Sequence, residues 1–458
     1  MDESLIPSGT VLISSLTPYV HVLKWSCESK LCSYCLLSSV QLKRCLKCRL
    51  VYYCDKNCQR SDWFNHRYEC GFICHLDFDL FRLYLRLFLR TTFKDNFYDE
   101  LKLRQFYDCM THMNDIQNDQ QRLKQFYLLI EQLKLCLSTH DLPSSLPLLS
   151  QEPLQSNIES NDDEFYFKTN YNRSINDLYL LYCRLLINTF TITDSIDLKP
   201  IGCGFYLSAT VYNHSCYPNC QQIFNGFRLQ IRTIENIKEN KEEYTINYCD
   251  LLQDRCKRQT ELMKNYYFMC QCKRCGTSND NSIINDKDIL LHCSMCSSSA
   301  YFIDKQHLKC LNKKLQQHIT ETNLYPIVEK YLNNKEKNIE EFEKLFHRQS
   351  ITMVQLYEYS MDKYIEDELF DKALVYSEYL LKLYKNLLPK YHSYASLNIL
   401  KHMKLKLFLF NDIKEIQSML NLIDETCQHI EIAFGKQHPL MIETHKLVEQ
   451  FKLELNFR

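Results

Sequence analysis

Asn213-His214-Ser215-Cys216-Tyr217-Pro218-Asn219-Cys220, followed downstream by Phe268-Met269-Cys270-Gln271-Cys272-Lys273-Arg274-Cys275, decides how this 458-residue chain is read. The Cys-x-Cys-x2-Cys run offers three thiolates and needs a fourth ligand from elsewhere; Cys216 is the natural donor. Alone, the Asn-His-Ser-Cys stretch would be an unremarkable polar turn. Short runs lie between the two motifs: CQQIFN, RLQIRTI and Tyr244-Thr245-Ile246-Asn247-Tyr248. They are set around Asn225-Gly226, a strong short-range hairpin signal. Residues 201–249 are therefore read as strands.

Cysteine is dense upstream as well. The chain has 24, and nine lie between Cys27 and Cys74. Their spacing is Cys32-x2-Cys35, Cys45-x2-Cys48, Cys54-x3-Cys58 and His66-x3-Cys70. Eight ligands make two tetrahedral sites, and thiolate with imidazole is the mix zinc prefers. Cys54 with Cys58, and His66 with Cys70, sit four apart, which predicts that each pair shares a helical face. A single Cys-x2-Cys could be core packing; four consecutive pairs argue for metal. Spacing alone leaves the pairing of the ligands open. A module this small leans on its metal, on the order of 10 kcal/mol per site. A further candidate set, Cys293, Cys296, His307 and Cys310, reads equally as zinc ligands or as an ordinary cysteine-bearing loop.

The chain's start has no basic segment leading into a long apolar run, so no secretory signal is expected. The best apolar stretch, FDLFRLYLRLFLR, carries three arginines, so no membrane span is expected. Many cysteines without export favour metal ligands over disulfides. A net charge of −1 announces no global nucleic-acid-binding field. With seven glycines, no GxxxxGK phosphate loop can be written, and Leu207 stands where a dinucleotide fingerprint after Gly202 and Gly204 needs a third glycine. Leu80 to Leu137 reads as helix, 139–163 as a Pro/Ser/Asn-rich linker, and 164–193 as mostly helical. From about Lys313 the text is helical to the end, with Gly435 at an inter-helix turn. Leu369, Phe370, Tyr376 and Tyr379 around Ala373 suggest the small–large packing of paired helices.

The stretch from Cys32 to Cys70 resembles the MYND zinc finger. That resemblance implies interleaved sites, with Cys32, Cys35, Cys54 and Cys58 on one zinc and Cys45, Cys48, His66 and Cys70 on the other. It also implies partner peptides, often proline-rich. Lys43, Arg44, Lys47, Arg49, Lys56, Arg60 and Arg67 of the finger are read first as a solvated face. Asn213 to Cys220 together with Tyr248 and the Cys270, Cys272, Cys275 run resembles the SET methyltransferase fold with its post-SET zinc site. The chain as a whole looks like a SET-and-MYND protein-lysine methyltransferase. The fold so implied is α+β and multidomain: a split β-rich SET domain with an inserted MYND finger, a post-SET zinc site, and an all-α C-terminal domain resembling tetratricopeptide packing. The expected boundaries are 1–28 for the first SET strands, 29–74 for the finger, 75–200 for a helical insertion and linker, 201–250 for the SET core, 251–276 for the post-SET segment, 277–315 for a variable insert and 316–458 for the helical tail.

The resemblance implies S-adenosylmethionine as cofactor, three zinc sites with the further candidate as a fourth, and a histone or other protein as substrate. A monomer in nucleus and cytoplasm is expected, with no membrane. Methyl transfer to lysine needs a neutral amine, and a free lysine titrates near 10.4, so neutralising it near pH 7.4 costs about 4 kcal/mol. A dry aromatic channel beside a sulfonium lowers that cost through desolvation and like charge. By resemblance, Asn188, Thr210, Tyr212, Asn213, His214, Tyr248 and Phe268 contact the cofactor. Phe190, Tyr248 and Tyr266 wall the lysine channel. Tyr248 is the catalytic position, orienting the amine rather than acting as a strong base. Core packing is the competing reading for Phe190, Tyr212 and Tyr266. Two departures fall on cofactor binding. The family's GxGL turn precedes the segment matched by Pro7 to Leu12, and Met110 and His112 stand where the family has Glu-x-Asn. They support a competing class, a weak or inactive adaptor binding partners through finger and tail. A DNA-binding finger fits less, since its Cys-x2–4-Cys-x12-His-x3–5-His spacing is absent.

Overall fold

The computed structural model describes residues 4–72, 79–93, 97–138, 174–239, 241–276, 291–292, 299–300, 351–410 and 413–457. The linker expected at 139–163 and the candidate ligands Cys293, Cys296, His307 and Cys310 lie outside these residues.

Strands β1 (Leu5–Ile6), β2 (Val11–Leu16) and β3 (Val20–Leu23) open the chain. The finger follows, with a small hairpin of β4 (Lys43–Arg44) and β5 (Tyr52–Tyr53) leading to α1 (Lys56–Glu69). Asp55 caps α1 by accepting from the N–H groups of Asn57 and Cys58. The cap leaves Cys54 ahead of the helix, so Cys54 and Cys58 do not share a helical face as their spacing suggested.

The helix-like text from Leu80 to Leu137 becomes α2 (Asp79–Phe93), an irregular stretch around Phe106–Asp108, α3 (Met113–Asn118) and α4 (Gln120–Ser138). These pack with α5 (Ile175–Asn188) into one apolar cluster. Two of the three arginines of α2, Arg82 and Arg86, are buried in it. Arg86 makes a paired contact with Glu69 (2.6 and 2.9 Å) and reaches Asp62 at 3.0 Å. Arg82 lies 3.6 Å from Glu69 and 3.4 Å from Glu28. Burial pushes the Glu69 carboxyl up, but Arg86 and Arg82 outweigh it and hold the group well below the usual range. The finger's helix is thereby fastened to the helical body by buried charge.

Helix α5 runs straight into β6 (Thr189–Thr193), and β7 (Pro200–Phe205), β8 (Asn213–His214), β9 (Cys220–Asn225), β10 (Arg228–Thr233), β11 (Ile237–Lys238) and β12 (Thr245–Ile246) follow. β6 is a strand at the end of the segment expected to be helical, and it shares a sheet with β7 and β3. β10 pairs with β9 and with β2, β11 pairs with β1, and β12 lies parallel to β8. The opening strands thus return to partners beyond residue 200, and the finger and helices sit between. The Asn225-Gly226 hairpin forms as expected. Gly226 has φ +56°, and a Cβ there would lie 2.1 Å from the Cys35 carbonyl, so the turn rests directly on the finger.

Helix α6 (Arg255–Tyr266) is capped by Asp254 and ends at Tyr267 in the left-handed region. A two-residue pair, β13 (Leu291–His292) with β14 (Ser299–Ala300), comes next. The tail is α7 (Thr352–Glu366), α8 (Phe370–Leu387), α9 (Ser393–Phe408), α10 (Ile416–Phe434) and α11 (Pro439–Phe457). Ala373 is buried and Tyr357 packs on Tyr376 and Tyr379, as the small–large pattern suggested, although Leu369 is exposed. Gly435 makes the turn between α10 and α11 at φ +98°. Two side chains hold the tail to the sheet. Gln221 donates to the Ala433 carbonyl (2.9 Å) and accepts from the Ser393 N–H (2.8 Å). Arg232 donates to the carbonyls of Glu431, Ile432 and Gly9, placing a cation at the negative end of α10.

Candidate functional site

A cleft of about 580 Å³ opens where α5, β6, β8, β9, the strand-end at Asn247–Asp250, α6 and the start of α9 converge. Tyr248 lies on its wall. Its hydroxyl donates to the Tyr212 carbonyl (2.5 Å), and its ring sits 5.4 Å from His214 and 4.9 Å from Tyr266. Burial, opposed by the Arg104 charge, pushes the phenol up to about 12. Tyr248 is therefore a neutral O–H at physiological pH, and a fixed one, because the carbonyl locks its rotor.

β8 and β12 place the residues around it. Parallel pairing sets Asn213 and His214 beside Thr245 and Ile246, two residues before Tyr248. The Tyr248 N–H donates to His214 Nδ1 (3.0 Å), so Nε2 carries the proton, 3.2 Å from the Cys216 sulfur. Phe268 packs 5.9 Å from the same imidazole. Asn213 lines the cleft while its amide donates to Glu243. Asn188, at the end of α5, gives both amide hydrogens to carbonyls, Arg184 at 2.7 Å and Met110 at 2.8 Å. Only its Oδ1 remains to offer a ligand. Thr210 lines the cleft and donates to the Leu207 carbonyl. Met110 and His112 lie on the cleft wall as well.

Two channel candidates face this space: Phe190, edge-on to Tyr206 at 5.7 Å, and Tyr266. Tyr212 does not. Its ring is buried in the sheet core near Tyr244, and only its backbone carbonyl serves the site. Arg104, Glu261 and the tail residues His392, Ser393 and Tyr394 also line the cleft. Burial, then Cys249 and Asp250, push the Glu261 carboxyl up to about 7. Nothing in the text marked these positions. Arg104 is a lone arginine in a loop, and the tail is distant in sequence.

The metal-ligating side chains gather in sets of four. Cys32, Cys35, Cys54 and Cys58 form one, Cys45, Cys48, His66 and Cys70 a second, and Cys216, Cys270, Cys272 and Cys275 a third, each with its ligand atoms within 4.8 Å of one another. Observed separations are 3.6 Å for Cys35–Cys54, 3.8 Å for Cys45–Cys70 and 3.5 Å for Cys216–Cys275. A tetrahedron with bonds of about 2.3 Å has edges of about 3.8 Å, so the sets fit zinc. Gln259 fixes Cys270 through both of its backbone groups (2.8 Å each). Cys249, which the spacing argument overlooked, forms a further group with His214 and Cys216. Among the described residues no helix is long and apolar enough to cross a membrane.

Residues 32–70 match the MYND finger family. The chain is similar along 96% of its length to histone-lysine N-methyltransferase SMYD3 of Mus musculus, at 25% identity and with 92% of that protein covered. Histone-lysine N-methyltransferase ASHR1 of Arabidopsis thaliana is 23% identical, over 98% of this chain and 92% of its own length. N-lysine methyltransferase SMYD2 of Homo sapiens is 23% identical, over 96% and 92% respectively.

Proposed function

Starting from a chain that belongs to the SET-and-MYND family, we propose that it is an S-adenosylmethionine-dependent protein-lysine N-methyltransferase whose reaction centre is the cleft at Tyr248. In this reading the paired strands are a split SET domain, Cys216 to Cys275 the post-SET zinc site, and the tail a tetratricopeptide-like wall. One observation carries it: Tyr248, neutral and locked onto the Tyr212 carbonyl, stands between His214 and Tyr266 on an aromatic cleft.

The donor set suits the cofactor. Asn188 has an acceptor left over for a ligand hydrogen, and Phe268 offers an apolar face for a base. Asn213 and Thr210 complete the wall, while Tyr212 and His214, which do not line it, act through Tyr248 by accepting its O–H and its N–H. When bound, S-adenosylmethionine supplies the electrophilic methyl group. The chain's part is to deliver a neutral amine in line with it. Phe190, Tyr248 and Tyr266 strip water from the incoming side chain, which disfavours the ammonium over the amine. The Tyr248 oxygen, its proton held by Tyr212, keeps its lone pairs for orienting the amine hydrogens. Aromatic walls also tolerate a methylated, cationic product.

The substrate is a histone or another protein, which the tail residues His392 to Tyr394 would contact at the cleft rim. The finger would serve partner peptides, and nucleus and cytoplasm are the proposed compartments. The test is release of S-adenosylhomocysteine by the zinc-loaded full chain on histones and on a cell lysate. Turnover should fall about 100-fold or more in Tyr248→Phe, some 3 kcal/mol of transition-state positioning. Affinity for S-adenosylhomocysteine should change little. No turnover by the natural chain on either substrate would reject the proposal.

A further inference from the structure

We propose that Arg104 is a binding residue for the methyl donor, receiving the α-carboxylate of the cofactor's amino-acid arm. The inference rests on the S-adenosylmethionine reading above.

Arg104 is held at both ends. Its loop is fastened by Asp99, whose carboxylate accepts from the Leu101 and Lys102 N–H groups and from Ser208 N–H (2.6 Å) and Oγ (2.5 Å). The Leu103 N–H donates to Ser208 Oγ at 3.0 Å. Its guanidinium is anchored by Nη1, which donates to the Thr210 carbonyl (2.8 Å) and lies 3.3 Å from Thr210 Oγ1. Nε and Nη2 make no hydrogen bond, and no carboxylate pairs with the group, among the described residues. The unused Nε–Nη2 edge is the one that grips a carboxylate with two parallel bonds. A fixed, half-buried cation with that edge free is an unusual thing to leave in a cleft.

Position and charge agree. Arg104 lines the same cleft as Asn188, Thr210 and Asn213, and its charge acts on the Tyr248 phenol. The sulfonium must sit at Tyr248 for transfer. Its carboxylate carbon is four bonds away, about 5 Å at full reach. S-adenosylmethionine carries two cations and one carboxylate. The charged residues on the cleft wall besides histidine are Arg104, Asp250 and Glu261. Only the first can take the carboxylate.

A bland alternative is that Arg104 merely braces the Thr210 turn, in which case every ligand of the cleft should feel its loss alike. Calorimetry on the zinc-loaded full chain separates the two, with S-adenosylhomocysteine and with 5′-methylthioadenosine, which keeps the nucleoside and thioether but lacks the amino-acid arm. Arg104→Gln should weaken S-adenosylhomocysteine by about 10- to 100-fold, the range for a charge-assisted hydrogen bond. It should shift methylthioadenosine by less than about twofold, which also shows that the variant is folded. Arg104→Lys should recover part of the loss. An equal shift for both ligands, or no shift for either, would overturn the inference. If the natural chain binds neither ligand, the cofactor reading itself fails and this one falls with it.

Discussion

His214 touches two centres at once. Its Nδ1 holds the backbone of Tyr248, and its Nε2 proton points at the Cys216 sulfur of the third metal set. With both nitrogens engaged inside the protein, the ring positions Tyr248 more than it solicits a ligand. A zinc held by this set should therefore matter to the proposed reaction centre and not to the tail alone. Cys272→Ser is expected to lower bound zinc by one equivalent per chain, read by metal analysis against the natural chain, and to reduce turnover while leaving the finger's zinc in place. Unchanged metal content would remove the third site. The short-range pairs that meet in the metal-ligating sets, such as Cys32 with Cys35, Cys45 with Cys48 and Cys272 with Cys275, were legible in the sequence because their spacing is local. Arg104 and Glu261 were not, since each enters the site only because distant strands and helices bring it there, and Cys249, though next to Tyr248, fits no ligand spacing.

Helix α2 shows what pattern reading gets right and where it stops. Three arginines in an apolar run rightly argued against a membrane span. That two of them are buried against Glu28, Asp62 and Glu69 depends on the finger's helix lying alongside, which no local signal carries. The same limit applies to α1, where Asp55 starts the helix one residue too late for Cys54, and to β6, whose Thr-Phe-Thr-Ile-Thr is too short to stand out from the helix before it. The Asn225-Gly226 hairpin was readable because the turn chemistry is contained in two residues. Arg86→Ala would strand the Glu69 and Asp62 carboxylates in a dry interior. The expected loss is about 3–5 kcal/mol of stability by urea unfolding; a loss under about 1 kcal/mol would show that the contact is not a buried one in solution.

Over the whole molecule, five buried imidazoles add to the response to acid. His392, at the start of α9, is held down to about 4 by burial and, secondarily, by Arg274. His21 is lowered to about 4 by burial and by Arg86, and His402, His429 and His438 likewise, chiefly by burial. Each binds a proton more readily in the unfolded chain, near 6.5, than in the fold. The stability these five imidazoles contribute is thus complete above pH 6.5 and declines as pH falls toward 4. His392 also caps α9, its Nδ1 accepting from Tyr394 N–H at 3.3 Å. Asn is a good cap that does not titrate. Between pH 7.5 and 5, His392→Asn should lose about 2 kcal/mol less than the natural chain in urea unfolding. Zinc loss is common to both proteins and cancels. Equal pH dependence would mean that His392 is not buried neutral. The helical tail was readable as text, but its clasp on the sheet through Gln221 and Arg232 was not, since those residues sit in strands.

The most direct test is to supply S-adenosylmethionine carrying a deuterated methyl group to the zinc-loaded full chain with histones or lysate, and to locate the label by tandem mass spectrometry. The account predicts deuterated methyl on lysine Nζ, lost when Tyr248 is replaced by phenylalanine. No label on any lysine, or labelling undiminished in Tyr248→Phe, would contradict it.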